Sequence, residues 1–178
     1  MPKEKKVTGS LLDLWVANKM VQDSAAYNLV CSYSLNKFVE ESSVANAINV
    51  LSQKFEDLCA NFHETQEGVK VVFEDAIDNC MESVYIDSTV KYSEIIHNFV
   101  NKKIDTASSP LWKVLFVNFP FSNQELWFNF HHLVADGNSL KVYIECYDAI
   151  LQEKTADIRE TSSIIYSELP ICNARSRR

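Results

Sequence analysis

Two of the four histidines in this chain are adjacent, His131 and His132, and an Asp-Gly pair follows them in the stretch FNFHHLVADGNS, residues 128–139. Imidazole takes up and releases protons near neutral pH, so general acid–base work is the first chemistry this pair suggests. A metal site using both rings is disfavoured by strand geometry. In a strand running up to His132, adjacent side chains point to opposite faces. One histidine then faces the core, held by a hydrogen bond, and the other faces a cleft; phase alone leaves open which is which. Asp136 can bond backbone N–H groups in the turn that follows. Gly137 permits close backbone approach or a positive φ. Read on residues alone, the same stretch also fits a strand, turn and helix start with a core histidine and a turn aspartate.

The other chemistry-bearing residues carry less. His63 and His97 read as exposed histidines without a role, and Trp15, Trp112 and Trp127 as core. The five cysteines (Cys31, Cys59, Cys80, Cys146, Cys172) are odd in number, scattered and without a Cys-x-x-Cys pair. That pattern predicts reduced thiols, several of them buried, in a cytoplasmic protein with no metal site. The net charge of -7 is uneven, because Lys3, Lys5, Lys6 and Arg175, Arg177, Arg178 place positive charge at the two ends. The acidic body between them disfavours nucleic acid or an anionic membrane as partner. No apolar run is long enough to span a bilayer, and no secretory apolar region follows the start.

The elements that must position the motif follow from periodicity. Residues 10–21 predict a helix, with Ser10 and Asp13 as a loose capping box. Residues 26–35 alternate as a half-buried strand, with Tyr27, Leu29, Cys31, Tyr33 and Leu35 on one face. Residues 43–62 predict the clearest helix, with Val44, Ala47, Ile48, Leu51, Phe55, Leu58 and Phe62 in phase and Ser42 or Ser43 as cap. A β-hairpin is expected over 62–65 and 69–73 around Gly68, and a short strand over 84–87. Residues 89–103 predict a helix with Tyr92, Ile95, Ile96 and Phe99 in phase. Residues 112–119 and 125–131 predict an antiparallel hairpin at the sheet centre, apolar on both faces. Residues 138–152 predict a last helix capped by Asn138 or Ser139. The order α-β-α-β-β-β-α-β-β-α argues an α/β (α+β) fold, a mostly antiparallel sheet covered by helices. One domain is expected, with residues 1–7 a basic tail, 8–152 the folded lobe, and 153–178 a polar and basic tail or the start of a crossover.

His131-His132-Leu133-Val134-Ala135-Asp136-Gly137 resembles the His-His-x-x-x-Asp-Gly signature of condensation domains of nonribosomal peptide synthetases, and Ser139 follows as it commonly does there. Ile104-Asp105, Pro110 to Leu115 and Tyr27-Asn28 are similar to other stretches of that family. At two places on the long helix where the family carries a His and an Arg, this chain has Phe55 and Cys59. The resemblance implies the fold of chloramphenicol acetyltransferase, with residues 8–152 as the N-terminal lobe of a two-lobe enzyme. It implies amide formation between an acyl thioester on a carrier protein's phosphopantetheine arm and an amine, with no cofactor bound directly. It implies His132 and Gly137 as catalytic, and His131 and Asp136 as structural supports. Acyl and peptidyl carrier proteins would be partners, the site being completed by a second condensation lobe. Two alternatives are a single-lobe acyltransferase completed in a homotrimer, and a non-catalytic docking module.

Overall fold

The computed structural model describes residues 3–21, 25–87, 89–108 and 110–154. Two sheets organise them. The larger has four strands, β2 (Asn28–Leu35), β7 (Gln124–His131), β6 (Trp112–Asn118) and β5 (Met81–Tyr85), in that spatial order. Its central pairs are antiparallel, with Cys31 opposite Phe128 and Trp112 opposite Phe130, while β5 joins β6 in parallel. The central hairpin stands where the apolar pattern put it. Trp112, Val114, Phe116, Leu126, Phe128 and Phe130 are fully buried on one face, beneath the helices α2 (Glu41–Lys54) and α4 (Gly137–Lys154). Leu115, Val117 and Trp127 are buried on the other, beneath α3 (Thr89–Asn101). A strand apolar on both faces must be covered on both, because each buried large side chain contributes about 1.5–3 kcal/mol.

The smaller sheet has three antiparallel strands, β1 (Lys3–Lys6), β4 (Gly68–Phe73) and β3 (Ala60–Thr65). It packs with α1 (Gly9–Met20) around Trp15, Phe62, Val71 and Leu133. The hairpin over β3 and β4 turns at Gly68, whose φ of +115° suits glycine.

Residues 3–6, expected within a solvated basic tail, are instead the edge strand β1. Its side chains are exposed, so no apolar alternation announces it. Backbone pairing with Lys70 to Phe73, ion pairs of Lys3 and Lys5 with Glu56, and the burial of Val7 (3 % exposed) hold it in place. The helix expected over 43–62 ends at Lys54. Phe55 is extended (φ −125°, ψ 100°), a single 3-10 turn follows over Glu56–Cys59, and β3 begins at Ala60. Phe55, Leu58 and Phe62 sit at helical spacing by coincidence, each packing from a different element.

The caps differ as well. Helix α1 starts after Thr8 and α2 after Glu40, neither with a side-chain cap bond, so Ser10, Ser42 and Ser43 do not cap. The expected last segment lies outside the described residues from 155 onward. All three tryptophans are buried, and His63 and His97 are exposed. Cys31, Cys59 and Cys80 are buried, and burial pushes the Cys31 thiol up to about 12 and raises Cys80 as well.

Candidate functional site at the end of the central strand

Strand β7 is held on both sides up to its last residue. His131 pairs with Asn28 of β2, and its N–H donates to the Leu111 carbonyl at 2.8 Å. The chain then leaves the sheet. The His132 N–H donates to the Tyr27 carbonyl at 2.8 Å, and the Val134 N–H to the His131 carbonyl at 3.0 Å. Leu133, Val134 and Ala135 are buried and anchor this turn. The Tyr143 hydroxyl of α4 donates to the Val134 carbonyl at 3.1 Å.

The two histidines are separated as alternation requires, and the structure resolves which is which. His131 is the buried one, 1 % exposed. Its Nδ1 accepts from the Leu133 N–H at 3.1 Å, and its Nε2 lies 3.2 Å from Asn18 Oδ1 on α1. A backbone N–H can only donate, so Nδ1 is unprotonated and Nε2 carries the hydrogen. Burial, and then the neighbouring His132, lower the His131 pKa to about 4, so the ring is neutral near pH 7. With both ring nitrogens taken by protein groups, His131 has no lone pair for a metal. Tyr27 lies over it, ring centres 6.2 Å apart. His132 is exposed at the start of the turn.

Asp136 and Ser139 form a reciprocal cap at the start of α4. Asp136 Oδ1 accepts from the N–H groups of Ser139 (2.7 Å) and Asn138 (3.1 Å), while Ser139 Oγ accepts from the Asp136 N–H (2.7 Å). This is a capping box with Asp at the cap and Ser three residues on. Asn138 and Ser139, expected as caps, are therefore N–H donors to the cap, and Ser139 supplies its returning half. The Ser139 N–H and hydroxyl, with the Asn138 N–H and the His132 ring beyond them, hold the Asp136 carboxyl below the usual carboxylate range.

Gly137 departs from its expectation. Its φ is not positive, and a Cβ placed on it would meet nothing within 4 Å. The turn needs no glycine for backbone reasons, and the space in front of the first turn of α4 is open.

Phe55 meets Tyr143 edge-on with ring centres 4.9 Å apart, and Cys59 is buried with its thiol donating to the Ser52 carbonyl at 3.6 Å. They form an apolar flank beside α4. All four arginines (Arg159, Arg175, Arg177, Arg178) lie beyond residue 154, so among the described residues Asp136 has no guanidinium partner.

Sequence reading missed Asn18. A polar residue three positions after Trp15, on the buried side of α1, was the available signal; the two are the buried residues of that helix. Asn28, singled out in the sequence with Tyr27 but without a role, donates its Nδ2 to the Lys102 carbonyl at 2.9 Å and ties the end of α3 to the strand beside His131.

The sheet order, with a buried His and an exposed His ending its central strand before a capped helix, defines a two-sheet lobe of the chloramphenicol acetyltransferase type. The family model of the condensation domain matches residues 6–167, and the chain belongs to that family. The hybrid PKS-NRPS synthetase lepA of Aspergillus flavus is 26% identical over 134 residues, which is 74% of this chain and 3% of that protein. Tyrocidine synthase 2 of Brevibacillus parabrevis is 24% identical over 141 residues, 78% of this chain and 4% of that one. The starter condensation domain of rhizomide synthetase RzmA superposes with a TM-score of 0.77 at 11% identity, covering 90% of this chain and 40% of that one. The first condensation domain of the CDA synthetase gives 0.74 at 13%, covering 86% and 40%. The chain thus spans about two fifths of these condensation-domain structures. No described helix is long and apolar enough to cross a membrane.

Proposed function

We infer that this chain is the N-terminal lobe of a condensation-type acyltransferase of nonribosomal peptide synthesis, acting in the cytoplasm. The observation that carries the reading is the division of labour between adjacent histidines. His131 is buried, neutral and bonded at both nitrogens, while His132 is exposed beside an open helix start. The amine nitrogen attacks the thioester carbonyl carbon, the C–N bond forms and the C–S bond breaks. The sulfur leaves with the pantetheine arm, and the proton lost by nitrogen ends on it. His132 is placed to orient the amine and to accept or relay that proton, or to stabilise the charged intermediate. The Gly137 N–H, at the positive end of α4, faces the developing oxyanion. Asp136 and His131 hold the loop. The phosphopantetheine arms arrive on acyl and peptidyl carrier proteins, and a second lobe supplies the opposite wall. Buried thiols such as Cys31 and Cys80 support a reducing compartment.

In a two-lobe assembly with carrier proteins loaded at both sites, His132→Ala is expected to lower amide formation at least ~100-fold, with an unchanged circular dichroism spectrum. Unchanged turnover would remove His132 from the chemistry. Phe55 and Cys59, apolar beside α4, favour a second reading as a non-catalytic docking module. Carrier binding without any product in the wild-type assembly would select it.

A further inference from the structure

A relay of hydrogen bonds runs from α1 to the peptide beside the exposed histidine. His132 is placed through its backbone, its own N–H donating to the Tyr27 carbonyl at 2.8 Å. The next residue, Leu133, donates its N–H to His131 Nδ1 at 3.1 Å, so the ring of one histidine holds the peptide that leaves the other. Asn18 holds that ring in turn, with Oδ1 3.2 Å from Nε2. Each link has one allowed direction. A neutral imidazole carries a single N–H, and the Leu133 N–H excludes it from Nδ1. The hydrogen on Nε2 then needs an acceptor, so Asn18 meets it with oxygen and not with nitrogen. Protonating the ring would place a second hydrogen on Nδ1, against the Leu133 N–H, and break the middle link.

The residue type at position 18 therefore matters. An aspartate there would reach the same ring atom with the same shape. An opposite charge within about 4–6 Å favours the imidazolium and raises its pKa by about 1–3. An amide oxygen accepts the hydrogen without that bias. The surroundings act in the same direction, since burial and then His132 oppose a charge on the ring. Around the pair stand Tyr27 over the His131 ring, Lys19 beside Asn18 on α1, Asp136 at the cap of α4, and Lys103 and Asp105 on the wall of a cavity that Asn18 also lines. The Asp105 carboxylate accepts from its own loop, from the Ala107 N–H and the Ser108 hydroxyl. Among the described residues, no carboxylate bonds to the His131 ring.

We propose that Asn18 is a positioning residue for the acyl transfer: as an uncharged acceptor it keeps the hydrogen of His131 on Nε2, so that the ring holds the Leu133 N–H and with it the turn that carries His132. This role rests on His132 as the residue that handles the amine's proton.

The test is Asn18→Asp, read in two ways. The first is NMR of the 178-residue chain, labelled with nitrogen-15 in its histidine rings, across pH. The wild-type His131 ring is expected to carry its hydrogen on Nε2 and to stay neutral down to about pH 5. In Asn18→Asp it is expected to take up its proton about two pH units higher. The second is the two-lobe assembly with loaded carrier proteins. The kcat of Asn18→Asp, relative to wild type, is expected to fall at least ~10-fold between about pH 8 and about pH 5, with KM unchanged. A merely structural role would give one ratio at every pH. A pH-independent ratio, an unshifted His131 titration, or a wild-type ring with its hydrogen on Nδ1 would each overturn the role of Asn18. If Asn18→Asp fails to fold, the wild-type tautomer decides. A wild-type assembly that forms no product removes the acyl-transfer reading instead, and the two His131 titrations then uphold or overturn the hold of Asn18 on the turn.

Discussion

His131 is buried and held at both ring nitrogens, by the Leu133 N–H and by Asn18 Oδ1. Its neutral form is imposed by burial, and this has a pH signature. Its folded pKa is lowered to about 4 from the ordinary 6.5. Between those values the unfolded chain binds the proton and the folded chain refuses it. This contribution to stability is therefore complete above pH 6.5, falls as the pH drops toward 4, and is constant below. Its full size is on the order of 3 kcal/mol. Urea midpoints measured at about pH 7 and about pH 4.5 should separate more for wild type than for His131→Asn, and equal separations would assign the loss to other groups. The splitting of the histidine pair was legible from strand alternation alone. The identity of the buried one was not, because it depends on Asn18, which lies 113 residues away in the chain.

At the scale of elements, two turns flank β7, and they differ in how well residue and conformation agree. The turn into α4 is matched to its task. Asp136→Ala removes the acceptor for two backbone N–H groups and should lower the melting temperature by a few degrees. An effect on rate alone would contradict its structural role. The turn between β6 and β7 is not matched. Phe121 sits there at φ 63°, ψ 31°, and is 97 % exposed. A bulky residue in the left-handed region costs about 1–2 kcal/mol, of which glycine recovers part against its own chain entropy. Phe121→Gly should therefore raise unfolding free energy by roughly 0.5–1 kcal/mol in urea melts. A drop would mean that the ring makes contacts worth more than the strain. Where the pattern came from a face buried against one neighbour, as in the central hairpin, the sequence showed the element. It misled at Phe55, where helical spacing ran on past the helix, and it was silent at β1, which is held by backbone pairing and lysine–glutamate pairs.

At the scale of the whole fold, the described residues leave one side covered and one side open. Both faces of the large sheet are covered, yet His132 and the start of α4 look onto unfilled space. On the proposed reading, the lobe alone yields no amide from loaded carrier proteins, and joining it to a C-terminal condensation lobe restores product. Product from the lobe alone, together with a trimeric mass in sedimentation, would instead favour the single-lobe acyltransferase. The exposed His of the pair was legible only as one of two, whereas the partner that buries the other was not, since Asn18 comes from α1.

The buried thiols give the sheet a clock. Thiolate is the form that reacts with alkylating reagents, and burial suppresses it at Cys31, on β2 opposite Phe128, and at Cys80, whose carbonyl accepts from the Val114 N–H at the start of β6. Each therefore reacts only when its own part of the sheet opens. Peptide mapping of alkylation over time reads two opening rates from one native sample, one for the β2–β7 seam and one for the parallel edge at β5. Whether the strand carrying both histidines is loosened from one side or the other is then a matter of which cysteine is labelled first.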